Sequence, residues 1–159
     1  MLLKRAAISR RKDMKIVITD PCYLVKDGKI WKRFIDTFWD NNKIPSKAIE
    51  LIKEYLELPW FSFAETGYGD CNNEIQSKNA KNQIIQSDFC ADAGLVCVCP
   101  LTPKIENILK DIGNFCYAIV DVSDDVTVHF DCRDLDWTVV DITDNKTGAT
   151  FNSIKSLGE

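Results

Sequence analysis

Phe89-Cys90-Ala91-Asp92-Ala93-Gly94-Leu95-Val96-Cys97-Val98-Cys99-Pro100 is the longest nearly uncharged run of the chain, and its single charge is Asp92. Valine, cysteine and phenylalanine in such a run suit a buried strand. Pro100 ends it, because proline gives a strand ladder no donor. The stretch therefore reads as one buried central strand with a carboxylate inside it. A carboxylate in that position is costly unless hydrogen bonds or a partner charge compensate it. Asp92 is accordingly a candidate functional residue.

Working outward, the segments on both sides fit a sheet partly covered by helices. Lys15 to Thr19 reads as a strand that runs into Asp20-Pro21-Cys22-Tyr23. Proline fixes its own φ and holds Asp20 extended, so the strand end is stiff and aims Asp20 and Tyr23. Asp27-Gly28 reads as a tight turn. Apolar residues at Ile30, Trp31, Phe34, Ile35, Phe38 and Trp39 predict a helix with one bulky face. Pro45 or Ser46 starts a second helix, with Ala48, Ile49, Ile52, Tyr55 and Leu56 inside, and the two make a helical hairpin. Trp60 to Thr66 alternates as a strand, and Thr66-Gly67-Tyr68-Gly69-Asp70 follows as a hairpin turn. Cys71 to Lys81 is polar and reads as loops between weak strands. Asn82 to Ser87 regains strand character through Ile84 and Ile85.

Beyond Pro100, Thr102 caps a short helix with Pro103 at its first position, and Gly113 closes it. Strands then follow over Phe115 to Val122, Val126 to Cys132, Trp137 to Ile142 and Ala149 to Ile154. Their short connections imply antiparallel neighbours. The expected fold is a single α+β domain. It has a mainly antiparallel or mixed sheet of about seven or eight strands, an inserted helical hairpin and one short helix. Residues 14–159 form that domain. Residues 1–13, basic and without an acid before Asp13, read as a dispensable extension.

The 159 residues carry a net charge of -4, unevenly spread. Between Asp121 and Asp144 eight aspartates face only Arg133. Such a region repels a nucleic-acid backbone, which argues against direct nucleic-acid binding. It also raises the alternative of an acidic mimic of nucleic acid that blocks a host nuclease. No apolar run approaches the roughly 20 residues that span a bilayer. The seven cysteines include no Cys-x-x-Cys pair, so free thiols in a reducing cytoplasm are expected. A zinc site from Cys97, Cys99 and either Cys90 or His129 is the sharper reading of the same residues.

Three carboxylates, Asp20, Asp70 and Asp92, end or interrupt strands beside proline or glycine. If they converge, they could hold Mg²⁺ or Mn²⁺ for phosphate-ester hydrolysis. They lack histidine partners and Asp-x-Asp spacing, so no metal or other cofactor is expected. Cys22 or Cys132 with the lone His129 is a weaker route to nucleophilic chemistry. Ligand binding needs fewer coincidences. Tyr23 and Tyr68 offer aromatic faces beside Asp20 and Asp70, a combination that suits a nucleoside. Lys26, Arg33, Lys78, Lys81 and Arg133 are the cations available to a phosphate. The ligand-binding set is thus Asp20, Tyr23, Tyr68, Asp70 and Asp92.

Ile18-Thr19-Asp20-Pro21-Cys22-Tyr23, Trp31, Thr66-Gly67-Tyr68-Gly69-Asp70 and Asp92-Ala93-Gly94-Leu95 with Pro100 together resemble a family of small uncharacterised phage and prophage proteins. The resemblance covers residues 15 to 100. The chain departs from the pattern at Cys71, where a glycine would follow Asp70, and at Ala91, where a bulkier residue would precede Asp92. The resemblance implies no activity. It implies a phage-like setting in the host cytoplasm and a non-enzymatic accessory role. The expected partner is a small nucleotide-like signal or a host defence protein, with homo-oligomerisation left open.

Overall fold

Strand β1 (Met14–Thr19) feeds two different cores. Val17 points into one and Ile16 and Ile18 into the other, and all three are fully buried. Alternation along a strand puts successive side chains on opposite faces, so both faces of this sheet are covered. The computed structural model describes residues 14–40, 45–66, 71–134 and 137–155. Within them lie ten strands and three α-helices, more strands than the seven or eight expected.

The first sheet has the order β2-β6-β1-β7-β4, where β2 is Ser62–Glu65, β4 Ile84–Gln86, β6 Leu95–Pro100 and β7 Tyr117–Val122. The second has the order β5-β3-β10-β9-β8, where β3 is Cys71–Gln76, β5 Asp88–Ala91, β8 Val126–Asp134, β9 Trp137–Asp144 and β10 Thr150–Lys155. Every pairing is antiparallel. Helices α1 (Gly28–Asp40), α2 (Pro45–Leu56) and α3 (Pro103–Leu109) cover the first sheet. Phe34, Ile52, Leu56, Phe63 and Ile105 fill that helix-side core. Ile75, Phe89, Val120, Ile142 and Phe151 fill the core between the sheets. The fold is α+β in three layers: helices, sheet, sheet. The far face of the second sheet meets solvent, with Thr127 and His129 exposed on β8.

The helical hairpin and the cap of α3 stand as expected, with the Ile105 amide donating to Thr102 Oγ1 at 3.2 Å. Six readings change. The short link at residues 123–125 joins no antiparallel neighbours, because β7 lies in the first sheet and β8 in the second. β2 and β3 likewise belong to different sheets, so they form no hairpin across residues 67–70, which lie outside the described residues. Phe89 to Pro100 is two strands in different sheets, β5 and β6, joined by a corner at residues 92–94. Gly94 takes φ +80°, which a side chain would resist. Asp92 is therefore exposed on the corner, outside any strand. Asp27 caps α1 instead of forming a separate turn, its Oδ1 accepting from the Lys29 amide at 2.9 Å and the Ile30 amide at 3.3 Å. The polar stretch after Cys71 contains β3, an interior strand of the second sheet; its outward residues face water, so they need not be apolar. Gly113 closes no helix: α3 ends at Leu109, and Gly113 precedes a 3-10 turn at Asn114–Cys116.

Two buried carboxylates hold the connections. Asp20 is fully buried at the end of β1. Its Oδ1 accepts from the Cys22 amide at 3.0 Å, which fixes the 3-10 turn Pro21–Tyr23. Its Oδ2 accepts from the amides of Asp92 (2.9 Å), Ala93 (2.7 Å) and Leu95 (3.4 Å). The sheet-to-sheet corner is thus pinned to the first strand across 72 residues of sequence. Asp144 is also fully buried. It accepts from the Ser123 hydroxyl (2.6 Å) and amide (2.7 Å) and from the amides of Lys146 (3.1 Å) and Thr147 (3.4 Å). Burial pushes its pKa up, but these donors outweigh burial and hold it below the ordinary carboxylate value.

Replacing Asp20 with alanine strands four amide donors, so Asp20→Ala is expected to cost about 3 kcal/mol or more. Asp20→Asn, which keeps acceptor capacity at one atom, should cost less. Urea denaturation checks this, and equal midpoints for wild type and Asp20→Ala would refute the pinning role. For Asp144 the folded pKa lies below the unfolded one. Its contribution is therefore complete above the unfolded value of about 4 and drains as pH falls through the folded value. Asp144→Asn should flatten the loss of stability below about pH 5, read as urea midpoints across a pH series; parallel curves for the two proteins would count against it.

Candidate functional site

The Asp20 network places two candidate residues on one cleft. The 3-10 turn that Asp20 closes ends in Tyr23. The corner amides that Asp20 binds belong to Asp92 and Ala93. Tyr23 and Asp92 then line a cleft of about 480 Å³ together with Cys71, Asn72, Cys90 and Lys155. Pairing of β3 with β10 sets Lys155 opposite Asn73 and so brings a cation to the same cleft. The walls therefore offer an aromatic ring, an amide side chain, a carboxylate and an ammonium group.

Asp20 itself lies sealed beneath this cleft with both oxygens on backbone amides. It positions the walls and does not reach a ligand. Tyr68 and Asp70 lie outside the described residues. Among the described residues no three His, Cys, Asp or Glu side chains come close enough to share a metal ion. The proposed zinc ligands separate for a physical reason. Cys97 and Cys99 alternate onto the helix-side core, Cys90 sits on β5 at the cleft, and His129 stands on the exposed outer face of β8.

Burial makes Cys22, Cys90, Cys97 and Cys99 poor nucleophiles. Burial pushes Cys22 well above the ordinary thiol range, and the neighbouring Asp20 charge adds to it. Burial takes Cys99 up to about 12. Burial also raises Cys90 to about 11, although the Tyr23 hydroxyl, 3.1 Å from its sulfur, pulls the other way. Burial raises the Tyr23 hydroxyl as well, reinforced by Cys90 and Cys116. At neutral pH the cleft wall is thus a neutral phenol beside a neutral thiol, suited to hydrogen bonding and stacking. Cys22 sits in the 3-10 turn after β1, whereas His129 stands on the exposed outer face of β8; the side chain of Cys132 lies outside what is described.

Sequence reasoning missed Asn72, Cys90 and Lys155 as cleft residues. No motif marks them; only the β3 pairings with β5 and β10 bring them together. Of the cations considered for phosphate, Lys78 and Lys81 line a different and wider cleft, while Lys26 and Arg33 are exposed and line neither. The acidic C-terminal half is also partly spent within the fold. Asp144 is buried, Asp121 pairs with Lys15 at 3.4 Å, and Asp124 pairs with Lys146. No helix among the described residues is long and apolar enough to cross a membrane. Compared with protein-family models, with curated proteins and with solved structures, the chain matches none.

Proposed function

We propose that the chain is a non-enzymatic accessory binding protein of phage type that sequesters a small nucleotide-like signal in the Tyr23–Asp92–Lys155 cleft. The observation that carries this reading is that one buried carboxylate rigidly orients both the Tyr23 turn and the Asp92 corner on the same cleft. Rigid walls reduce the ordering cost of binding. The Tyr23 ring stacks on a base, Asp92 and Asn72 take hydrogen bonds from base or ribose, and Lys155 faces the phosphate. The cleft volume falls within the range of small-molecule sites.

This reading is favoured over phosphohydrolysis because the Asp20 oxygens are already occupied by amides. It is favoured over nucleic-acid mimicry because three of the aspartates expected on a continuous acidic face are buried or paired with lysine. Blockade of a host defence protein would follow from withdrawing its signal and needs no separate surface.

Calorimetric titration with nucleoside monophosphates and cyclic nucleotides tests the proposal. At least one is expected to bind. Loss of stacking in Tyr23→Ala should weaken it by about tenfold or more, since each base–aromatic stack contributes about 1–3 kcal/mol. Asp92→Asn should weaken it less. Chromatography after denaturation should return the ligand intact; a hydrolysed product would move the protein to the enzymes, and silence across the panel would remove the nucleotide reading.

A further inference from the structure

A second cleft, of about 1020 Å³, lies apart from the Tyr23 site and shares none of its lining residues. Its walls include Ile75, Ile84, Val139 and Ile154, and Lys78 and Lys81 also line it. Ile154 is one of the few large apolar side chains left exposed, at 36%. Asn152 and Gln76, cross-strand partners on β10 and β3, also line it, their side-chain amides donating to the carboxylates of Asp141 and Glu74.

The two lysines sit on a fixed segment. Ser77 Oγ donates to Asn79 Oδ1 at 3.2 Å and accepts from the Ala80 amide at 3.0 Å. The Asn79 side chain then joins the segment to the next hairpin, donating to the Gly148 carbonyl at 3.0 Å and accepting from the Thr150 amide at 3.2 Å. Just beyond, Gln83 Nε2 donates to the Asp121 carbonyl at 2.8 Å. Both lysines are exposed, and neither has an ion pair among the described residues. Five other lysines, Lys15, Lys32, Lys53, Lys104 and Lys146, each face a carboxylate. Two like charges held three residues apart on a braced loop, each without an ion pair among the described residues, offer an anionic group two partners at the rim of this cleft.

From this placement we infer a second binding site, for an amphiphilic organic anion whose apolar body lies against Ile84 and Ile154, the two apolar lining residues that are not core-buried, while its carboxylate or phosphate head faces Lys78 and Lys81. The site is independent of the nucleotide reading. The volume admits a ligand larger than a nucleoside, and the apolar walls give the body a place that bulk water does not. The lysines act as point charges and so accept either head group.

The probe is 1-anilinonaphthalene-8-sulfonate, an apolar body with one anionic group, followed by its fluorescence on the full chain, with the uncharged N-phenyl-1-naphthylamine as comparison. Lys78→Glu/Lys81→Glu should weaken the sulfonate probe by about tenfold or more, because two attractions become two repulsions. It should leave the uncharged probe unchanged. Ile154→Asp should weaken both, and Tyr23→Ala neither. Dodecanoate and dodecyl phosphate as competitors separate the two head groups, and inorganic phosphate alone should compete far less well than either. Three results would overturn the site: no binding of the sulfonate probe to wild type, equal binding by the double lysine variant, or loss of binding in Tyr23→Ala. The first two leave the Tyr23 cleft untouched, so they are distinguishable from failure of the nucleotide proposal.

Discussion

Asp20 is the constraint from which the rest of the arrangement follows. A carboxylate buried without a cation must recover its hydration from fixed donors. Here four backbone amides from two distant segments supply them. Those amides are free for the purpose because the chain turns sharply at Pro21–Tyr23 and again at residues 92–94, where ladder bonds stop. The relationship is mutual: the turns need an acceptor and the carboxylate needs donors. Asp144 solves the same problem where the β7–β8 crossing between the sheets meets the β9–β10 hairpin, accepting from Ser123, Lys146 and Thr147. In both cases an acidic side chain does the work that a salt bridge would do elsewhere, without the desolvation of a second ion.

The two-sided burial of the first sheet then decides where anything else can bind. β1 and β6 have side chains in both cores, so neither face is open. Free surface remains on the outer face of the second sheet and at the strand ends and edges. Both clefts draw on the β3–β10 pair, one at Asn72 and Lys155, the other at Gln76 and Asn152. That pair is the least apolar ladder of the structure, with Asn73 and Ser153 buried within it. Ser153 spends its hydroxyl on the Val140 amide at 2.8 Å, a bond from side chain to backbone where β9 and β10 no longer pair. A ladder that needs side chains to satisfy its backbone leaves gaps between its neighbours, and a cleft forms beside it.

Much of the fold was legible because its signals are local. The apolar spacing of α1 and α2, the Thr102-Pro103 cap and the β8–β9 and β9–β10 hairpins depend on residues within a few positions of each other. The two largest errors have opposite causes. Phe89 to Pro100 is apolar throughout because each half is buried in a different sheet, and burial alone does not say which partner buries it. β3 was hidden for the opposite reason: an interior strand with one wet face can be mostly polar. The cleft was half legible. Tyr23 and Asp92 stand beside stiff turns, which proline and glycine advertise; Asn72, Cys90 and Lys155 arrive only through long-range pairing.

The Asp-Pro-Cys-Tyr and Asp-Ala-Gly segments looked like two pieces of an active site, and the geometry gives them a different relation. The aspartate of the first binds the backbone of the second, so they are the two halves of one structural clasp. Residues of this kind say nothing of chemistry by themselves, because what they fix is a backbone path. The chemistry must come from side chains that the clasp leaves facing solvent: Tyr23 from one half, Asp92 from the other, and whatever the second sheet sets against them. A buried acid that looks catalytic in sequence thus directs attention one step outward, to the groups it aims. That is why the case for binding rests on the cleft above Asp20 and not on Asp20 itself.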